Sequence, residues 1–320
     1  MNVSIIMYHY VRDLKRSRYP NIRGLDLAQF RQQIDYLGTK GQFVSMAQVI
    51  ASAQGEGKLP KNPILLTFDD GYIDHYTNVF PLLMQKGIPA FFSMPGKILA
   101  EGKVLDVNKI HFILASTELS VLLPRVFHQL NIHRKDGYDY PSNQTLYEKL
   151  ATANRFDNAD TIFIKRLLQV ELPETLRNTI TDALFEESVG MEESAFAREL
   201  YMSREQVELM QRNGMEWGLH GYEHYWMNRL SEAALIDDIH RALQVFEGIV
   251  PRNRWVFCYP YGSLSPDVIR VSASCGACAG LSTIATQAVL GNDSIFALPR
   301  FDTNDFPPKS ESFLEKMQWA

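Results

Sequence analysis

The stretch Pro63-Ile64-Leu65-Leu66-Thr67-Phe68-Asp69-Asp70-Gly71-Tyr72 sets two adjacent carboxylates at the end of an unbroken apolar run. Ile64 to Phe68 is β-compatible throughout and bounded by Pro63 and Gly71, so it reads as a buried strand. Its acids then fall at the strand's C-terminal end, where functional loops gather in parallel α/β folds. Taken alone, Asp-Asp-Gly would also suit a solvated turn.

A second stretch tips that balance. Ser203 and Gln206 have the spacing of a capping box, opening a helix through Val207, Leu209 and Met210 that stops near Gly214. Met215 to Leu219 reads as a short strand that delivers His220-Gly221-Tyr222-Glu223-His224 into a loop at the same rim. One histidine is usually a packed or solvated residue. A histidine pair after one strand and an acid pair after another are better explained as chemistry. Two imidazoles and one carboxylate, with a position left open for water, form a catalytic ligand set for zinc or a similar divalent ion. The second carboxylate is then a base beside it. His220-x-x-Glu223-His224 also matches the H-x-x-E-H pattern of inverzincin metallopeptidases. That motif needs a helix, whereas Gly218, Gly221 and the strand-like residues before them argue for a loop.

Strands and helices alternate on both sides of these motifs. Val3 to Tyr8 reads as a first strand ending at His9, and Phe30, Ile34 and Leu37 mark one face of a helix. Ser45 caps the next helix, through Met46, Val49 and Ile50. A helix through Val79, Leu82 and Leu83 leads to the strand Ala90 to Met94. Later, Leu235, Ile239, Leu243 and Phe246 define a helix before the strand Trp255 to Phe257, and Ser265-Pro266 opens another. This alternation predicts a parallel barrel or sheet. Between Met94 and Met202 it lapses for about 105 residues, far more than an ordinary βα connection. Leu119, Leu122, Leu123, Val126 and Leu130, then Ile162, Ile164, Leu167 and Leu168, predict amphipathic helices there. We expect one domain over 1–320 carrying a helical insertion at about 97–200, placed beside the active-site rim as a lid, an oligomer contact or a structural elaboration.

Thr67-Phe68-Asp69-Asp70-Gly71 and His220-Gly221-Tyr222-Glu223-His224 resemble the first two motifs of the polysaccharide deacetylases, the NodB-homology or carbohydrate esterase family 4 domain. Phe257-Cys258-Tyr259-Pro260-Tyr261-Gly262 resembles the third, in the form seen in poly-N-acetylglucosamine deacetylases. The resemblance covers about residues 1–96 and 200–305. It implies an α/β fold, a deformed seven-stranded (β/α) TIM-like barrel. It also implies that Asp70, His220 and His224 hold the metal, most simply Zn²⁺, that Asp69 is the general base, and that the Tyr261 backbone N–H helps form an oxyanion hole. The chemistry suits removal of an N-acyl group, acetyl or formyl, from an amino sugar: a bound cation acidifies water and stabilises the oxyanion with a fixed donor.

Two departures matter. The last strand of such proteins commonly supplies a histidine acid, but Phe296-Ala297-Leu298-Pro299-Arg300-Phe301 has none, and His9 is the leading substitute. The third motif often contains an arginine that orients the base. Cys258 or Tyr259 stands there instead, and Arg300 is placed to approach Asp69 from the neighbouring strand; otherwise it would form a surface ion pair of little value. The missing histidine motivates an alternative function, a carbohydrate-binding protein that has lost turnover.

With 320 residues, 46% hydrophobic and 22% charged, the chain can bury a substantial core as soluble enzymes do. A formal charge of −5 argues against nucleic acid as a partner. The N-terminal run lacks a basic flank and breaks within ten residues, so it is expected to be a strand rather than a signal peptide or membrane span. Three cysteines without a disulfide framework suit a reducing, cytoplasmic setting, and Cys275 and Cys278 are expected to be buried small residues. The basic residues Arg12, Lys15, Arg16, Arg18 and Arg23 motivate a substrate that carries phosphate, a nucleotide- or lipid-linked sugar, beside plain N-acylated sugars and oligosaccharides.

Overall fold

Residue pairing across the sheet shows how the acids and histidines are delivered to one rim. The computed structural model describes every residue except 155, 156, 317, 318 and 320. Seven strands run parallel: β1 (Asn2–Tyr8), β2 (Pro63–Phe68), β3 (Phe91–Met94), β4 (Glu216–Leu219), β5 (Trp255–Cys258), β6 (Ala277–Leu281) and β7 (Phe301–Asp302). Each of β1 to β5 pairs with its successor. β7 pairs with β1, and a bridge from Leu281 to Leu298 carries the chain back from β6, so the sheet curls into the expected deformed barrel. Gln42–Phe43 adds to β2 in parallel, and Ala288–Val289 adds to β1 antiparallel.

Every residue of β2 is buried, as a strand covered on both faces requires. Register is reinforced by an aromatic ladder. Tyr8 pairs with Phe68, Phe68 with Phe92, and Phe92 with Trp217. Their rings stack at 4.9, 4.9 and 5.4 Å between centroids. Such cross-strand pairs each contribute roughly 0.2–1 kcal/mol. Because side chains alternate faces, the residues after these aromatics, among them Asp69 and Ser93, turn to the opposite face at one level.

The predicted caps are present: Ser45 with Gln48 and Ser203 with Gln206 close capping boxes, and Ser265 caps the helix that begins at Pro266. The helix through Val207, Leu209 and Met210 forms as expected over Arg204–Arg212, with Val207 and Met210 on its buried face and Leu209 exposed. Some expectations require correction. The strand expected over Phe296 to Phe301 is mostly irregular: Ile295–Ala297 is a 3₁₀ turn, Pro299 has no N–H to donate, and β7 begins only at Phe301. Cys275 and Cys278 are half-buried free thiols, because Cys275 caps a surface helix and Cys278 lies on a partly open stretch of β6.

The chain divides into two compact units, one of residues 1–13, 24–102 and 198–320, the other of residues 14–23 and 103–197. The second is helical, with Asp106–Ser116, Leu119–Lys135, Asn143–Leu150, Ala159–Arg166 and Glu174–Val189. Leu122, Val126, Leu130, Phe163, Ile164, Leu167 and Ile180 are among its buried residues. Lys109 is buried there between Asp182 (2.5 Å) and Glu193 (2.8 Å). Among the described residues, no helix is long and apolar enough to cross a membrane.

Candidate active site

Asp69 and Asp70 leave β2 in different directions because the backbone turns sharply between them. Asp70 is left-handed, with φ 72°. Asp69 points into a fully buried ion pair: its Oδ2 lies 2.8 Å from Arg300 Nη2, while its Oδ1 accepts from Arg300 Nη1 at 3.1 Å and from Ser93 Oγ at 2.8 Å. Arg300 is itself fixed by donating from Nε to the Ser282 carbonyl (2.9 Å) and from Nη1 to Thr67 Oγ1 (3.2 Å). Burial opposes the Asp69 charge, but Arg300, then His220 and His9, outweigh it and hold its carboxyl well below the usual range. Cys258 Sγ lies 4.0 Å from Arg300 Nη1, a small neutral neighbour whose thiol pKa burial pushes up.

Asp70 meets the two histidines. Its Oδ1 lies 3.2 Å from His220 Nε2 and 3.4 Å from His224 Nε2, and its Oδ2 accepts from Tyr72 Oη at 2.7 Å. One ligand atom from each of these three buried residues lies within 4.8 Å of the others. The Cys258 carbonyl takes a 2.6 Å hydrogen bond from His220 Nδ1–H, which leaves the Nε2 lone pair facing Asp70 in the neutral ring. Two imidazole nitrogens and a carboxylate oxygen brought together fit a divalent cation, and three protein ligands are the number that leaves a tetrahedral ion one position for water or substrate. Without a cation, the shared carboxylate divides the ring pair: burial lowers both pKa values, yet Asp70 with Asp69 raises His220 overall while His224 stays low.

The loop carrying both histidines is tightly built. Asp238 accepts from the backbone N–H groups of Tyr222 (2.8 Å) and Glu223 (3.0 Å). Gly221, at φ 71°, passes so close that a Cβ would come within 2.9 Å of that carboxylate. Glu223 turns away to Lys97 (2.7 Å) and Arg241 (3.3 Å). The stretch from His220 to Tyr225 has no helix, and His224 itself is left-handed at φ 62°. The helical peptidase arrangement is therefore absent, and its general base is engaged in ion pairs.

Tyr261 has φ 57°, followed by Gly262 at φ 67°, where a Cβ would strike Thr283 Oγ1 at 2.1 Å. The Tyr261 ring packs on His224 (4.7 Å) and stacks on Trp226 (4.6 Å, 5° between planes). His9 is partly exposed after β1, and its imidazole acts electrostatically on Asp69, Asp70 and His224. The seven residues singled out from sequence thus surround one rim. Ser93 and Asp238 were missed. For Asp238 a signal existed: it sits three residues after Leu235 and one before Ile239, on the core face of a helix where an unpaired acid has no place.

Residues 56–114 and 173–279, more than half of the chain, match the family model described as polysaccharide deacetylase. The chain belongs to this family. Over 93 residues, 28% of this chain, it is 37% identical to the poly-beta-1,6-N-acetyl-D-glucosamine N-deacetylase of Escherichia coli (strain K12). The match spans 13% of the length of that relative. Among solved structures, Streptococcus pyogenes deacetylase PplD in complex with acetate superposes with a TM-score of 0.62 at 15% identity, covering 99% of both chains. IcaB from Ammonifex degensii gives 0.54 at 19% identity over 96% of this chain and 94% of that one. A de-N-acetylase from Aggregatibacter actinomycetemcomitans gives 0.57 at 15% identity over 98% and 100%. At these identities the likeness establishes the shared fold of this deacetylase-family chain.

Proposed function

We propose that this chain is a metal-dependent N-deacylase acting on N-acetylated amino sugar in oligomeric or polymeric form. The observation that carries this reading is the convergence of Asp70, His220 and His224 beside an Asp69 held ionised by Arg300. When bound there, a divalent cation such as Zn²⁺ would acidify water and polarise the acyl carbonyl. Asp69 accepts the proton of the attacking water. A carboxylate held so far down is a weak base, so the arrangement depends on a water already made acidic. The Tyr261 N–H steadies the charge gathering on the carbonyl oxygen. As the C–N bond breaks, His9 gives a proton to the leaving nitrogen, yielding the free amine and the acid.

The name of the Escherichia coli relative supports N-acetylglucosamine in β-1,6 linkage as the substrate class. Arg12 and Arg23 have carboxylate partners in Asp74 and Asp157, which favours a neutral sugar over a phosphate-linked one. The test is acetate release from neutral N-acetylated oligosaccharides and nucleotide sugars by zinc-loaded protein. We expect release from the neutral oligomers, abolished by Asp69→Asn with zinc content retained. Bound oligomer without release would instead establish a carbohydrate-binding protein.

A further inference from the structure

The segment that carries His9 away from β1 is gripped by one short stretch of chain just beyond the acid pair. His75 Nε2 lies 2.9 Å from the His9 carbonyl, Asn78 Nδ2 donates to the Val11 carbonyl at 2.8 Å, and Asp74 Oδ2 takes the Arg12 Nε–H at 2.7 Å. Residues 75–79 form a π-helical turn between the acid pair and the helix Phe80–Lys86. Such turns are rare and occur frequently at functional sites. Positions 74, 75 and 78 lie three or four apart or adjacent, so one helix face presents all three.

His75 is an odd choice for a purely structural contact. It is fully buried, with rings of Phe68, Tyr72 and Phe92 at 5.4, 5.6 and 5.9 Å. Since a carbonyl only accepts, Nε2 carries the proton and Nδ1 is bare, and Nδ1 has no hydrogen-bond partner among the described residues. Burial pushes its pKa down to about 4, so the ring is neutral at neutral pH. An apolar side chain would avoid the cost of an unsatisfied nitrogen.

We propose that His75 is a positioning residue for His9: it fixes the His9 backbone so that the imidazole faces the leaving nitrogen rather than solvent. The inference rests on His9 being the acid of the proposed deacylation, and the experiment separates the two. Cleaving an amide requires a proton on the departing nitrogen, whereas 4-nitrophenyl acetate releases a phenolate that leaves without one. Turnover of a β-1,6-linked N-acetylglucosamine oligomer and of 4-nitrophenyl acetate is measured for zinc-loaded wild type, His9→Ala, His75→Leu, His75→Gln, Asn78→Ala and the double variant His9→Ala/His75→Leu.

We expect His75→Leu to lower kcat on the oligomer about 10–100-fold with KM and bound zinc unchanged and ester hydrolysis retained. His75→Gln, which restores an N–H donor, keeps most of the activity. Asn78→Ala, a partly exposed site that leaves the core intact, gives a smaller loss of the same selectivity. The double variant is no worse than His9→Ala alone, because both changes remove one function. Parallel loss of amide and ester turnover, or additive losses in the double variant, overturns the inference while leaving His9 as the acid. Full amide turnover by His9→Ala overturns the acid assignment and the inference with it.

Discussion

Arg300 and Asp69 form an ion pair with essentially no access to water, and its value lies in what each charge would do alone. Removing one partner of such a pair costs about 3–5 kcal/mol, because the other is left buried and uncompensated. Arg300→Leu is therefore expected to lower stability by that order in urea unfolding. The pH dependence adds a sign. In wild type the folded-state pKa of Asp69 is depressed, so its contribution is present above the unfolded carboxylate value of about 3.9 and is lost as pH falls toward the folded value. Without Arg300, burial dominates and the protonated form becomes the favourable one. The deficit of Arg300→Leu relative to wild type should then narrow from pH 7 to pH 4, and a constant deficit would show that the guanidinium acts through packing alone. The sequence made this pair visible only as a possibility. Arg300 follows Pro299 in a segment with little regular structure, and its approach to Asp69 depends on β7 returning to β1, a contact across more than 230 residues.

At the level of elements, the site was legible wherever a motif was contiguous and ended a strand. Asp69-Asp70 and His220 to His224 each leave a parallel strand at the same end, so apolar runs followed by turn residues were enough to place them. Supporting groups were not, because they come from helices whose apolar periodicity conceals one polar position. Asp238 is the clearest example: the helix Glu232–Val245 is predicted from Leu235, Ile239 and Leu243, and the acid on that same face holds the histidine loop by two backbone N–H groups. Groups that orient metal ligands typically contribute 10–100-fold in metal affinity. Asp238→Asn, which keeps the shape but loses the charge and one acceptor, should weaken zinc binding within that range in competition with a chelating dye. Melting should change little, since the loop is also pinned by Gly96 N–H to the Gly221 carbonyl and Lys97 N–H to the Tyr222 carbonyl. His75 escaped notice for a related reason, as it stands in a π turn that follows no ordinary helical period.

Across the whole molecule, the interruption of the βα pattern was legible as an excess of chain, and its helices as 3.6-residue periodicity. The membership of residues 14–23 in the same compact unit was not, because a basic loop after β1 carries no periodic signal for partners a hundred residues away. Those partners include Phe112 and Phe196, whose rings lie 5.0 and 5.8 Å from Tyr19, and Asp157, which binds Arg23 at 2.7 Å. All the proposed metal ligands, by contrast, belong to the barrel unit. Each unit has its own buried core, so damage to the helical one should be separable from metal binding. Phe163 is fully buried there, with Tyr147 and Phe127 rings at 5.1 and 5.7 Å. Phe163→Ala is expected to destabilise the helical unit by about 3–5 kcal/mol, seen as an earlier loss of helical circular dichroism on heating. Zinc affinity measured below that transition should stay at the wild-type value. A fall in affinity that tracks the helical transition would show instead that the two units fold as one cooperative body.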